Sequence, residues 1–180
     1  VIHNGTDTVA YTGTSVVGTR FTFDSLDEAN SGTKSVKVNK AIVGDVMQFD
    51  KGSDLDLSVH SAITMFVYVA SGWSALSADS VTVYGWDAGA SSQLGNTVKL
   101  EAYFNELQFG VWQKLTIPLS DLGLESQSTD FDALRFEIDA KSGGGPIFYL
   151  DDMQIEETGA AEVFTVSAPK ATKFEMHEFS

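Results

Sequence analysis

No cysteine occurs in the 180 residues, which removes disulfides, thiolate nucleophiles and cysteine-ligated zinc together. Long apolar runs are missing too. The longest, Ala62 to Ala70, has the length of a strand and falls far short of the roughly 20 residues that cross a bilayer as a helix, so membrane insertion is not expected. Positive charge is scarce: 11 Lys and Arg stand against 25 Asp and Glu, a formal net charge of -14. Such a surface repels phosphate backbones and anionic lipid, which argues against nucleic acid as a partner and leaves neutral sugars, cations and basic protein patches. Histidine is nearly absent. His3 and His177 lie near the ends, leaving His60 alone, so a Ser-His-Asp arrangement lacks a base, and no His-Glu-x-x-His spacing occurs. The opening Val1-Ile2-His3-Asn4-Gly5 has neither Met nor the basic and apolar segments of a signal peptide, and reads as a processed chain or an excised piece.

What is present points to strands. With 43% apolar residues the chain can form one core of ordinary size. Alternation with period two recurs between Gly-, Ser-, Asn- and Asp-rich breaks, and no helical period persists for three turns. Strands are predicted near 18–23, 33–38, 46–50, 60–70, 80–87, 97–104, 111–118, 131–139 and 146–155. So many short strands in one domain predict an all-β, two-sheet antiparallel β-sandwich. Turns are predicted at Asn30-Ser31-Gly32, Asp87-Ala88-Gly89, Leu94-Gly95-Asn96 and Ser142-Gly143-Gly144-Gly145, with a helical turn at Ser120-Asp121-Leu122-Gly123. The expected divisions are a leader or linker over 1–14, the sandwich over 15–157, and a tail over 158–180. That tail alternates Phe174, Met176 and Glu178 with Lys173, Glu175, His177 and Phe179, a pattern suited to strand addition to a neighbouring domain or subunit.

Three segments carry a family likeness. They are Phe21-Thr22-Phe23-Asp24 followed by Ser31-Gly32-Thr33-Lys34-Ser35-Val36-Lys37-Val38; Trp112-Gln113-Lys114-Leu115-Thr116-Ile117-Pro118-Leu119-Ser120-Asp121-Leu122; and Phe148-Tyr149-Leu150-Asp151-Asp152-Met153-Gln154-Ile155. In this order they resemble the jelly-roll carbohydrate-binding modules of the galactose-binding-like class, over about residues 18–157. The resemblance implies a jelly roll, a polysaccharide or glycan as partner, and a structural calcium. By that resemblance the ion would be held by Asp24, by backbone carbonyls in the Thr33–Lys34 region and by Asp151. Oxygen ligands from distant strands suit calcium, and the ion would clamp the first strand to the last. The competing reading of the same residues is a solvated acidic turn with Asp24 in an Asx turn.

Three strands offer one apolar and one polar-aromatic face each. On the outward side stand Thr82, Tyr84 and Trp86; Thr97, Lys99, Glu101 and Tyr103; and Arg135, Glu137 and Asp139. If these share a sheet, Tyr84, Trp86 and Tyr103 stack on pyranose rings while Arg135, Glu137, Lys99 and Glu101 bond hydroxyls. The plainer reading is β-propensity and cross-strand charge pairing. Trp73, in Ser71-Gly72-Trp73-Ser74, is either a loop-tip sugar contact or a plug at one end of the sandwich, and Trp112 is expected in the core. Glu137-Ile138-Asp139-Ala140-Lys141-Ser142 begins like the E-x-D-x-x-E strand of jelly-roll glycoside hydrolases, but Ser142 replaces the second carboxylate that retaining hydrolysis requires. The expectation is therefore a non-catalytic carbohydrate-binding module of a larger secreted or surface protein, outside the cell, on its surface or on a virion. The alternative is a structural jelly roll of a virion, filament or surface layer, assembled through 158–180.

Overall fold

The computed structural model describes residue 2, residues 11–73 and residues 79–158. Apolar residues at alternate positions mark strands such as Ala133–Ala140 and Trp112–Pro118. In β9 (Ala133–Ala140), Leu134, Phe136 and Ile138 are buried while Arg135 and Glu137 are half-buried and Asp139 exposed. In chain order the strands are β1 (Thr12–Val17), β2 (Phe21–Ser25), β3 (Ser35–Asn39), β4 (Val46–Asp50), β5 (His60–Ser71), β6 (Ser80–Asp87), β7 (Ser92–Lys99), β8 (Trp112–Pro118), β9 and β10 (Ile147–Glu157). They form two five-stranded antiparallel sheets, β1-β4-β9-β6-β7 and β2-β3-β10-β5-β8. Described helical structure is confined to two 3-10 turns, Leu57–Val59 and Leu100–Ala102. The all-β sandwich is as expected.

The core lies between the sheets. Phe49 of β4 meets Phe136 of β9 edge-on at 5.8 Å and Phe23 of β2 at 5.7 Å, so one ring ties both layers together. Val36, Val38, Met65, Val67, Phe148 and Leu150 supply the facing layer and are fully buried. The segment after β8 folds back through an amide of Leu124 donating to the Leu119 carbonyl at 2.9 Å, and buries Leu119, Leu122 and Leu124 as a plug. Those residues include the expected turn at 120–123, where the Gly123 amide donates to Ser120.

Residue 14 lies within β1, which pairs Thr12 and Thr14 with Asp50 and Gln48, and Ile2 is buried, its amide donating to the Met153 carbonyl. Two local expectations fail for physical reasons. Leu94-Gly95-Asn96 is not a turn but a bulge inside β7: Val83 pairs with Val98 and Gly85 with Leu94, leaving three residues of β7 opposite Tyr84. Gly95 has φ +62°, and a Cβ there would lie 2.1 Å from the Leu122 carbonyl oxygen, so the glycine serves a close approach. The strand predicted over 97–104 stops at Lys99, where the chain enters the 3-10 turn. Ser74, the first ten residues other than Ile2, and the tail from 159 onward, with its alternating Phe174 and Met176, lie outside the described residues.

Phe136→Ala should lower unfolding free energy by about 3–5 kcal/mol, because both the burial and the edge-on ring contact disappear and leave a cavity. A urea titration with an unchanged m-value checks it; a loss under about 1 kcal/mol would mean that this ring does not anchor the core.

Candidate functional site

The outer face of β1-β4-β9-β6-β7 presents its side chains in rows set by register. One row runs Thr14, Gln48, Arg135, Tyr84 across β1, β4, β9 and β6; the next holds Asp50, Ala133, Trp86 and Gln93; a third holds Val46, Glu137, Thr82 and Lys99. The Arg135 guanidinium carbon lies 3.3 Å from the centre of the Trp86 ring, and its Nε donates to Gln48 Oε1 at 2.7 Å. A cation over an indole contributes about 0.5–2 kcal/mol, enough to fix both side chains in one arrangement.

Tyr84 lies deeper in this layer. Only 6% exposed, it stands 6.3 Å edge-on from Trp86 and its hydroxyl donates to Glu137 Oε2 at 3.0 Å. Burial first, then the bond to Glu137, raises its pKa, so the phenol keeps its proton and serves as a fixed donor. Lys99 Nζ donates to Thr82 Oγ1 at 2.9 Å and pairs with Asp139. That exposed pair contributes little stability, and its effect is to hold two polar groups at the edge of the face.

The structure thus brings together Tyr84, Trp86, Arg135 and Glu137, with Lys99 and Asp139 beside them. Tyr103 does not join them. Leaving the 3-10 turn, it packs against the core and donates its hydroxyl to Asp121 Oδ2 at 2.8 Å, with its pKa pushed up to about 12 by burial and then by Asp121. Glu101 also turns away and accepts the Val81 amide at 3.2 Å. Trp73 is 3% exposed between Phe104 and Phe148, with ring centres at 5.2 and 5.0 Å, so it plugs the sandwich and offers no ring face to a sugar. Gln48, which sequence reasoning missed, orients Arg135; its sole signal was its place between Met47 and Phe49 on an alternating strand.

Trp112 corrects a second expectation. It is half-buried on the outer face of the other sheet, where Tyr68 meets it at 5.4 Å and Tyr149 meets Tyr68 at 5.9 Å. Lys37 Nζ caps this ladder 5.6 Å from the Tyr149 ring centre. Its rings are inclined by 47° and 73° to one another, the first pair tilted and the second edge-to-face, and do not form a flat platform.

The residues of the implied calcium site are dispersed. Asp151 is fully buried, and its Oδ2 accepts the amides of Asn30 at 2.8 Å and Ser31 at 3.1 Å, while Oδ1 accepts the Asp152 amide at 2.7 Å. Asp24 points outward, its side chain 74% exposed, with Lys34 Nζ 3.9 Å from its Oδ1. Among the described residues no three His, Cys, Asp or Glu side chains gather as a metal group. A cage of 6–8 hard oxygens does not match one amide-held carboxylate with an ammonium beside its intended partner. The residues present do not fit the ion.

The fold is that of the β-sandwich carbohydrate-binding modules. A family 30 carbohydrate-binding module of a cellulosomal cellulase from Clostridium thermocellum superposes with a TM-score of 0.57 at 16% identity, covering 88% of this chain and 92% of that module. A carbohydrate-binding module specific for non-crystalline cellulose, CBM28, superposes with a TM-score of 0.54 at 16% identity, covering 87% and 94%. A β-1,2-glucanase from Parabacteroides distasonis superposes with a TM-score of 0.59 at 16% identity over 88% of this chain, which spans 24% of that enzyme. At such identities the likeness is one of fold. No family model and no curated protein sequence matches the chain.

Beside Trp86, Asp132 is 9% exposed and accepts the Ala88 amide at 2.9 Å. Burial raises its pKa above the ordinary 3.8, the Ala88 bond lowers it, and Asp50, Asp87 and Asp54 raise it further. The folded state therefore binds this proton more tightly than the unfolded one, so the group's contribution to stability falls as pH rises above about 4. Urea midpoints between pH 4 and 7 should fall more steeply for the wild type than for Asp132→Asn; parallel profiles would refute the assignment.

Proposed function

We propose that this chain is a non-catalytic carbohydrate-binding module that holds a larger secreted or surface protein on a neutral polysaccharide, through the outer face of β4, β9, β6 and β7. The observation that carries the reading is the Trp86–Arg135 stack at the centre of that face. The exposed part of an indole already fixed by a guanidinium is a prepared surface for the C–H face of a pyranose, and Gln48, Glu137 and Lys99 supply planar or charged groups for hydroxyls. Because these side chains are already ordered, little rotamer entropy remains to be lost on binding. Weak reversible docking of this kind raises the effective concentration of an attached enzyme or adhesin near its polymer.

Neutral polymers are favoured by charge. Arg135 and Lys99 are matched by Glu137 and Asp139, with Asp50 in addition, and the whole chain carries -14. A polyuronate would meet repulsion. The absence of turnover is supported by Ser142 at the place of the second carboxylate. It lies beyond the end of β9 and bonds to Asp79, its hydroxyl at 2.9 Å from Oδ2. The assembly alternative depends on 158–180, nearly all of it outside the described residues.

Affinity electrophoresis in gels containing soluble neutral β-glucans or xylans tests the proposal. The wild type should be retarded by at least one of them and not by polygalacturonate. Trp86→Ala should weaken retardation at least about tenfold, roughly 1.4 kcal/mol, with Trp112→Ala on the opposite sheet as a control that binds like the wild type. Retardation by none of the neutral polymers, or equal retardation of Trp86→Ala, would defeat it.

A further inference from the structure

We infer that Asp50 is a positioning residue of the outer face: it orients the Gln48 amide, and the amide in turn holds the Arg135 guanidinium on Trp86. The consequence for sugar binding rests on the function proposed above, whereas the relay itself rests on geometry. Gln48 of β4 lies opposite Arg135 of β9, and Arg135 lies opposite Tyr84 of β6; Asp50, Ala133 and Trp86 form the neighbouring row. Arg135 therefore has Gln48 and Tyr84 beside it and reaches Trp86 on the diagonal.

An ion pair does not turn it that way. Among the described residues no carboxylate oxygen lies within 4.0 Å of the Arg135 guanidinium. Glu137, two residues along the same strand and on the same face, is the rival for its charge, and Glu137 Oε2 already accepts the Tyr84 hydroxyl at 3.0 Å. What holds Arg135 is the bond from its Nε to Gln48 Oε1 at 2.7 Å.

That bond works in one orientation of the amide. Arg Nε donates and never accepts, so the amide has to show it oxygen, and the amide nitrogen then faces the other way. There Nε2 donates to Asp50 Oδ2 at 3.1 Å. An ionised carboxylate only accepts, so both neighbours of Gln48 demand the same orientation. Gln48 is 7% exposed, which leaves water little room to replace either partner. Asp50 is fixed in its turn: Oδ1 accepts the Gly52 amide at 2.6 Å, just past the end of β4. A chain of bonds thus runs from the Gly52 amide through Asp50 and Gln48 to the cation stacked on the indole, and it keeps Arg135 ordered before any ligand arrives.

The test is acrylamide quenching of Trp86 without ligand, in a Trp112→Phe background where Trp86 is the indole open to quencher, Trp73 being 3% exposed. Gln48→Met removes the relay. Asp50→Asn keeps an oxygen for the Gly52 amide but turns a donor toward the Gln48 donor. Each should raise the quenching constant at least about 1.5-fold, as the guanidinium leaves the ring. The swap Gln48→Glu/Asp50→Asn restores an acceptor for Arg135 and a donor to it from position 50, and should return quenching toward the parent value. In gels of soluble β-1,3-1,4-glucan or of xylan, Gln48→Met and Asp50→Asn should bind at least about threefold more weakly, with recovery in the swap. Should Gln48→Met fail to fold, Asp50→Asn and the swap carry the same comparison. Unchanged quenching in Asp50→Asn, or a swap quenched as strongly as Asp50→Asn, overturns the relay. Altered quenching with unchanged retardation overturns its part in binding. If neither polymer retards the parent, the proposed function fails, and the quenching series still decides the relay.

Discussion

With no covalent cross-link in the chain, the interdigitation of two apolar sheet faces has to hold the sandwich together, and that one requirement governs nearly everything else. It obliges alternate residues of the central strands to be apolar, with Phe49 packed on Phe136 in its own sheet and reaching Phe23 across the interior. The remaining alternate residues are released from packing and free to acquire chemistry. Arg135 is available to stack on Trp86 because Leu134 and Phe136 on either side of it already anchor β9. The site is a by-product of the core's periodicity.

Periodicity is also why much of the fold was legible. Val81, Val83, Leu134, Phe136 and Ile138 face inward as their alternation requires, and their neighbours Tyr84, Trp86, Arg135 and Glu137 meet on one surface because β6 and β9 are adjacent. What could not be read was anything decided by a change of backbone state. Thr97 to Phe104 alternates well enough to pass for a strand. The 3-10 turn at Leu100–Ala102 nevertheless rotates Tyr103 out of the face, and only the approach of the Leu122 carbonyl explains Gly95. Tryptophan failed as a guide for a related reason. A loop ring with Phe104 and Phe148 within reach becomes a plug, while a strand ring at the edge of its sheet, Trp112, stays half open; sequence shows neither neighbour.

The acidic balance gives the second constraint. At -14 the chain cannot leave buried carboxylates to chance, and each is met by backbone donors. Asp151 takes three amides, Asp132 takes that of Ala88, and Asp45, 3% exposed, takes the Ile42 amide at 2.9 Å and the Arg20 guanidinium at 3.2 Å. Such bonds are charge-assisted and stronger than neutral ones, so they fix the loops that close the sandwich at both ends. The motif Asp151-Asp152 that carried the family likeness is therefore informative about fold whether or not a metal is bound. It clamps the turn at Asn30-Ser31 through backbone and side-chain donors.

These two constraints converge on what the outer face can recognise. A surface of high negative charge repels anions at long range, and on the face itself Lys99 is paired with Asp139 while Arg135 is held by Gln48 and Trp86, with Glu137 close by, so that little net attraction survives. In the proposed reading affinity comes from short-range contact: the exposed part of an indole, and amide and carboxylate groups held at fixed positions. That combination discriminates by shape and hydrogen bonding, which suits a neutral polymer of repeated hydroxyl-bearing rings. It suits a rigid site especially, because a polymer residue offers only a few weak contacts and cannot offset the ordering of a loose one.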